Sequence, residues 1–347
     1  MNDKIKNSLA RNLPFVVYTK PNSNEVNGIF QEDNTLNHLE DFSQKGFVMA
    51  PFDNTSKTIL IPLNKSKIYK ENWNLKATAS AEQATSSYAE KDKEKFETLV
   101  KNAISEINTT ATQKIVVSRK ETFYPESVDV SALYQKMFHH YPNAFRYCFF
   151  HPQVGLWLGA TPEKLLSISG GQLKTMGYAG TQKFEGTTDI IWQKKEREEQ
   201  EFVTDFILEN LKEETNSIEV SMPYTSQAGT LLHLRTDIKA ELKQGFSIQK
   251  IIEKLHPTPA VCGFPKQQAK EYILANEGYS RSFYTGFLGE LNFTENDNSE
   301  LYVNLRCMEI HNKEVDLYIG CGITKDSDPE KEFVETVNKS ITMKSLF

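Results

Sequence analysis

Cysteine is scarce in this chain. Of 347 residues only Cys148, Cys262, Cys307 and Cys321 are cysteines, and no two form a C-x-x-C pair. Their spacing fits no zinc pattern, and buried free thiols in a reducing cytoplasm are the simplest expectation. No apolar run approaches the roughly 18 residues a membrane span requires. The opening Met1-Asn2-Asp3-Lys4-Ile5-Lys6 is not followed by an apolar segment of the kind a secretory signal needs. No basic block exists and the formal charge is -6, which argues against a nucleic-acid partner. Repeats at solenoid periods are absent as well. What remains is a composition of 39% hydrophobic and 25% charged residues, ordinary for a globular protein with a sizeable core. Length alone suggests about two domains, although single units of this size exist.

Short apolar stretches bounded by turn residues predict strands over 15–18, 46–50 and 59–63. Residues 76–92 are rich in Ala, Ser, Thr and Glu without an apolar pattern, and read as a mobile linker leading into a helix. Phe96, Leu99, Val100 and Ile104 recur at helical spacing over 93–107. A strand is expected over 114–118 and a helix over 130–141. Hairpin-like strands follow over 147–150 and 155–159, then a pair over 165–168 and 173–176 turning at Ser169-Gly170-Gly171. Two helices are expected over 192–213, with Phe202, Phe206, Ile207 and Leu211 on one stripe, and over 266–278. Strands over 283–291, 301–309 and 315–320 precede a final helix over 329–343. Strands grouped with strands, without βαβα alternation, predict an α+β fold with helices outside a large antiparallel sheet system.

Several stretches carry side chains suited to chemistry. Glu332 and Glu335 are three apart in a segment where Asp328 or Ser327 can cap a helix and Pro329 fits its first turn. That spacing puts both acids on one face, near Lys339, where they form either a solvated surface or a cation site. Lys114 opens an apolar strand. It is either a strand-end surface lysine or an amine whose pKa burial lowers, fit to act as a base. Glu163 follows the turn Gly159-Ala160-Thr161-Pro162 and starts a local structure or, desolvated, serves as an acid. Ala179-Gly180-Thr181 allows close backbone approach to an anion. The run Glu196-Arg197-Glu198-Glu199-Gln200-Glu201 heads a helix, with room for one member to turn inward. Three prolines and a glycine restrict the path of 256–265, which opens on His256. Arg281, Tyr284 and Arg306 sit on or beside strands, where arginine suits bidentate capture of a carboxylate.

Taken in order, these stretches resemble the chorismate-utilising enzymes over about 114–347, roughly two thirds of the chain. The resemblance implies one large α+β domain over 1–347, with two stacked antiparallel β-sheets flanked by helices. Residues 1–92 would be its variable part and 93–347 the catalytic core, with the active site in a cleft between the two halves. Lys114 stands where ammonia-using members carry glutamine, and Ala179 where aminodeoxychorismate synthases carry lysine. The stretch 256–265 is most similar to the water-adding branch, the isochorismate synthases. Salicylate synthases share that first step, and the anthranilate and aminodeoxychorismate synthases fit these positions less well.

What the resemblance implies for the site is specific. Lys114 would activate water for attack at C2 of chorismate, and Glu163 would protonate the departing C4 hydroxyl. Glu199 and Glu335 would ligate Mg²⁺, with Glu332 near the metal or its waters. Gly180 and Thr181 would hold the ring carboxylate, with His256 close by. Tyr284, Arg306, Gly320 and Lys339 would grip the enolpyruvyl side. The family also implies a monomer, and its general pattern leans towards menaquinone supply over siderophore supply. Two positions depart from it: Gln200 replaces a common histidine, and Ser282 a common glycine.

Overall fold

A computed structural model describes residues 1–53, 56–74, 88–229, 231–294 and 298–347. The N-terminal part runs α1 (Asn2–Ala10), β1 (Phe15–Thr19), β2 (Glu25–Gln31), β3 (Asn37–His38), β4 (Gly46–Ala50), β5 (Ile59–Pro62) and β6 (Ser66–Asn72). Then follow α2 (Glu90–Thr109), β7 (Lys114–Phe123), α3 (Val130–His140), β8 (Phe145–His151), β9 (Gly155–Thr161), β10 (Lys164–Ser169) and β11 (Gln172–Lys183). The middle holds α4 (Lys194–Leu211), β12 (Thr215–Val220), β13 (Tyr224–Ala228), β14 (Leu231–Leu242) and α5 (Ile248–Leu255). The chain closes with β15 (Gly263–Phe264), α6 (Lys266–Asn276), β16 (Phe287–Leu291), β17 (Ser299–Val303), β18 (Cys307–His311), β19 (Glu314–Ile323) and α7 (Pro329–Lys344).

The strands form two antiparallel sheets. One has nine strands in the order β15-β7-β19-β18-β9-β8-β1-β2-β6. The other has ten, in the order β12-β14-β11-β10-β17-β16-β4-β5-β3, with β13 also on β14. Their inner faces meet in an aromatic layer. Phe145 stacks on Tyr302 at 4.2 Å between ring centres, and Trp157 on Tyr318 at 5.2 Å. Outer faces are covered by helices: α4 and α5 on the second sheet, α1 and α3 on the first, and α2, α6 and α7 around β7. This explains why the strands lack clean alternation. In β1, Val16 and Tyr18 face the aromatic layer while Phe15 and Val17 face the helices, so every one of these positions is apolar.

The expected α+β architecture of two stacked sheets is therefore present. All four cysteines are buried and free. No helix among the described residues is long and apolar enough to cross a membrane. The linker expected over 76–92 lies largely outside the described residues, and Glu90, Lys91 and Asp92 already belong to α2. Three differences from the sequence reading matter for the site. The single strand expected over 301–309 is two strands in different sheets, β17 and β18. The crossing occurs at Asn304-Leu305-Arg306, where Arg306 has φ +48 and Asn304 is pinned by bonds with Tyr147 and Phe283. Apolar residues flank this crossing on both sides, so the stretch reads as one continuous strand. Likewise the strand expected from 283 begins only at Phe287. The stripe expected on α4 is also rotated: Gln200, Val203, Ile207 and Leu211 are buried, while Phe202 and Phe206 are half-buried.

Gly289 sits in β16 with φ +146, and a Cβ there would lie 2.1 Å from the Glu300 carbonyl oxygen of β17. Gly289→Ala must push these strands apart and should cost about 1–3 kcal/mol. Urea denaturation is expected to show a lowered midpoint with an unchanged slope.

Candidate active site

Lys114 is the first residue of β7 and its side chain is 1% exposed. Its Nζ lies 2.6 Å from Glu199 Oε1 of α4. The neighbouring strand makes room for this pair, because a Cβ on Gly322 of β19 would stand 2.6 Å from that Glu199 oxygen and 2.8 Å from Lys114 Cε. Glu199 is held below the usual carboxylate range. Burial alone would raise it, but the ammonium of Lys114, with Lys195 and Lys339 further off, overrides that.

Glu163 faces the same cavity from the turn after β9. Thr161 fixes that turn, its Oγ1 accepting from the Glu163 amide at 3.3 Å and donating to the Val303 carbonyl at 2.6 Å. Burial pushes the Glu163 carboxyl up to about 8, against smaller opposing effects of the Thr258 hydroxyl, Lys114 and Arg306. The acid is therefore protonated at neutral pH, as a proton donor must be. Thr258, which donates to Glu163 Oε1 at 3.4 Å, comes from the proline-rich stretch read in the sequence.

A third wall is the bulge of β11. The register on β14 shifts between Ala179 and Gln182, and Gly180 takes φ +68, a conformation that favours glycine. Its carbonyl points at His233 Nδ1, 2.7 Å away. A carbonyl only accepts, so Nδ1 carries the hydrogen and Nε2 keeps a lone pair. That Nε2 is buried without a partner among the described residues. Burial, with the charge of Arg306, pushes the imidazole down to about 3 and so keeps it neutral.

The cleft joining these groups holds about 810 Å³ of open space, including its mouth. Glu163, Gly180, Thr181, Glu199, Tyr284, Arg306, Gly320, Glu335 and Lys339 all line it. Lys339 donates to the Gly320 carbonyl at 2.9 Å and pairs with Glu335 at 2.5 Å. Arg306 has no ion-pair partner among the described residues, and burial pulls its guanidinium down. Lys114 does not itself line this cleft: it lies behind Gly322, against Glu199, and faces a neighbouring cavity with Lys195 and Glu198. Glu332 stands behind the wall, 2.9 Å from Lys195, and burial together with Glu335 raises its carboxyl. The start of α7 follows the expected pattern. The Asp328 carboxylate accepts from the Lys331 amide at 2.9 Å, and Pro329 occupies the first turn.

His256 is not brought to the cleft. Its Nε2 donates to the Thr285 carbonyl at 2.9 Å, so it supports a lining residue and does not line the cavity. The histidine beside Gly180 and Thr181 is His233, which sequence reasoning missed; its only mark is a histidine inside the apolar run Leu231-Leu232-His233-Leu234. Arg281 binds no free carboxylate either, since Glu277 Oε1 takes its Nη2 at 2.5 Å. Gln200 donates to Thr204 and Thr236, both at 2.7 Å, and so seats α4 on β14 without touching the acids.

Among the described residues no three acidic, histidine or cysteine side chains converge tightly enough to hold an ion unaided. The donor chemistry still suits a hard cation. Glu196, Glu199 and Glu335 line one cleft, and Glu196 Oε2 is buried without a partner among the described residues. Mg²⁺ takes few protein carboxylates, retains waters and accepts substrate oxygens, so an all-oxygen set of this kind fits it.

The profile of the family described as chorismate binding enzyme matches residues 48–347. Isochorismate synthase EntC of Escherichia coli K12 is 29% identical over 262 residues, 73% of this chain and 66% of that protein's length. Isochorismate synthase DhbC of Bacillus subtilis is 30% identical over 270 residues, 72% of this chain and 67% of that protein. The match thus spans about two thirds of the length of these relatives. Among solved structures, the fold is shared with a putative 2,3-dihydroxybenzoate-specific isochorismate synthase, DhbC from Bacillus anthracis, at TM-score 0.80, with 24% identity and 96% of each chain covered. It is shared too with MenF, the menaquinone-specific isochorismate synthase from Escherichia coli, at TM-score 0.79 and 22% identity over 96% of this chain and 88% of that one. With a family match over residues 48–347 and this fold, the chain belongs to the chorismate binding enzymes.

Proposed function

We propose that this protein is a Mg²⁺-dependent isochorismate synthase. It adds water at C2 of chorismate and releases the C4 hydroxyl, with the ring double bonds shifting between. The observation that carries this reading is a buried, protonated glutamic acid in the cleft together with a buried lysine that pairs with the cleft-lining Glu199 and acts on that acid electrostatically. Relatives named as isochorismate synthases support the same product.

The roles in this reading are those the family resemblance implies, and the geometry supports them. Lys114, once its ammonium has released a proton to solvent, takes a proton from water while the water oxygen bonds to C2. Glu163 gives its proton to the C4 oxygen as that bond breaks, so the group leaves as water. Solvent then returns the proton from Lys114 to Glu163. Each transfer contributes about 10²–10⁴-fold. Mg²⁺ held by Glu199 and Glu335, with Glu196 and Glu332 beside them, would neutralise and orient the ring carboxylate. Thr181 and the amides around Gly180 receive that carboxylate. Arg306 and Lys339 supply the cationic surface for the enolpyruvyl carboxylate, with Tyr284 and Gly320 shaping the wall. His233 offers a lone pair, which suits a substrate hydroxyl and disfavours a carboxylate. The general resemblance favours menaquinone supply as the destination of the product.

Lys114→Gln should lower turnover by about 10²–10⁴-fold while leaving the far-UV spectrum near wild type, with a lowered melting temperature because Glu199 loses its buried partner. An isochorismate assay at saturating chorismate tests it, and normal turnover removes the base assignment.

Glu163 works while protonated. Activity should therefore be held below its raised pKa and fall as pH rises through about 8. Glu163→Gln should lose most activity and that limb of the kcat/KM profile.

Glu335→Gln should weaken the response of activity to added Mg²⁺, and an unchanged Mg²⁺ titration would count against this ligand. Product analysis of the wild type separates the branches: salicylate fluorescence marks pyruvate elimination after hydration, and an ammonia-dependent product marks the aminating branch.

A further inference from the structure

A second cavity lies away from the cleft, between α2, β7 and the turn after α6. It holds about 1120 Å³ of open space, including its mouth. Phe96 and Leu99 of α2 and the ring of Tyr279 give it an apolar floor. Lys95, Arg119 and Lys120 give it cationic sides, with Asn102 and Asn276 as neutral polar groups. The opposing charges are Asp92 at the rim and Glu277, whose carboxylate is already held by Arg281 and Ser118.

Arg119 is the informative member. Its side chain is 8% exposed, its Nε donates to Thr336 and its Nη1 to Glu121, both at 2.8 Å. Its Nη2 is buried without a partner among the described residues. A buried guanidinium donor left unsatisfied is costly, and a carboxylate entering the cavity beside Arg119 would supply the missing acceptor. Lys120 is partly neutralised by Asp316 at 2.9 Å, whereas Lys95 has no ion-pair partner among the described residues. An apolar floor with cationic sides selects an aromatic or similarly flat carboxylate over a small inorganic anion.

The cavity also touches the cleft through a hydrogen-bonded chain. Glu277 and Ser118 line the cavity. Glu277 holds Arg281, and Arg281 donates to the carbonyls of Val116 at 2.6 Å and Val261 at 3.0 Å and to Thr285 Oγ1 at 3.1 Å. Val116, Val261 and Thr285 all line the cleft. On its other side, Arg119 bonds Thr336 of α7, the helix that carries Glu335 and Lys339. A ligand that draws on Arg119 and packs against the Glu277 turn therefore acts on both walls of the cleft.

We propose that this cavity is a regulatory site for a flat organic carboxylate, coupled to the cleft through Glu277–Arg281 and through Arg119–Thr336. The site is separate from the reaction and does not depend on which chorismate chemistry the cleft performs.

Benzoate serves as the probe, titrated into the full chain by calorimetry and by methyl NMR. Lys95→Glu and Asn102→Trp change only exposed positions of α2, the first reversing a charge and the second filling the cavity. Saturable benzoate binding is expected, weakened about tenfold or more in both variants, with shifts at the Val116 and Val261 methyls in the wild type. Lys339→Gln separates the two cavities. Binding that survives both α2 variants but disappears in Lys339→Gln is binding in the cleft and overturns the proposal. Absence of saturable binding at millimolar benzoate overturns it as well. Binding that is sensitive to the α2 variants but leaves the Val116 and Val261 methyls unmoved removes the coupling.

Discussion

Charge taken out of water must find a counter-charge nearby, and this cleft is organised by that requirement. An ion buried alone costs several kcal/mol even after the protein relaxes. Glu199, Glu332 and Glu335 each meet a lysine, Lys114, Lys195 and Lys339 respectively. Two of these pairs bridge separate elements: Lys114–Glu199 ties β7 to α4, and Lys195–Glu332 ties α4 to α7. The pairs thus hold the two sides of the cleft together as well as balancing it. Glu163 has no such partner at close range among the described residues, and burial keeps it protonated for that reason. The same rule therefore separates Glu199, ionised beside Lys114, from Glu163, left neutral across the cavity, which is the division of labour a hydroxyl exchange needs.

The backbone around the cleft is shaped to let these groups approach one another. Gly322 leaves space for the Lys114–Glu199 pair, and the bulge at Gly180 turns a carbonyl onto His233. The bond to that carbonyl fixes the imidazole tautomer, so a choice of main-chain conformation in β11 decides whether His233 presents a donor or an acceptor to the cleft. Arg306 reaches the same cavity because the chain changes sheets at that residue, between β17 and β18. Site and fold are joined at these points. Changing any of them alters strand pairing and chemistry together.

Much of the candidate site was legible in the sequence because its residues fall in short, distinctive stretches. Glu332 and Glu335, three apart behind Asp328-Pro329, stand out by spacing and Glu163 by the turn before it, whereas Glu199 was singled out from its acidic run only by the family resemblance, which also supplied the roles. His233 was not, since an isolated histidine in an apolar strand reads as core. His256 drew attention through its prolines, yet its imidazole is occupied by the Thr285 carbonyl. Glu196 was one of several acids in a charge run, and only the side of α4 that packs on β11 separates it from the solvent-facing Glu198 and Glu201.

The antiparallel character of the sheets, the types of many elements though not of those over 214–255, and, through the family resemblance, the identity of most charged groups in the cleft were already written in the order of the amino acids. These depend on local periodicity, turn residues and side-chain chemistry, which operate over a few residues. Folding settled the rest: which acids are ionised, which histidine faces the cleft, where the chain passes from one sheet to the other, and that Arg281 serves Glu277 and not a ligand. Each of those outcomes depends on burial and on partners far away in the chain, such as Lys114 with Glu199, and no local pattern encodes a neighbour brought in by folding.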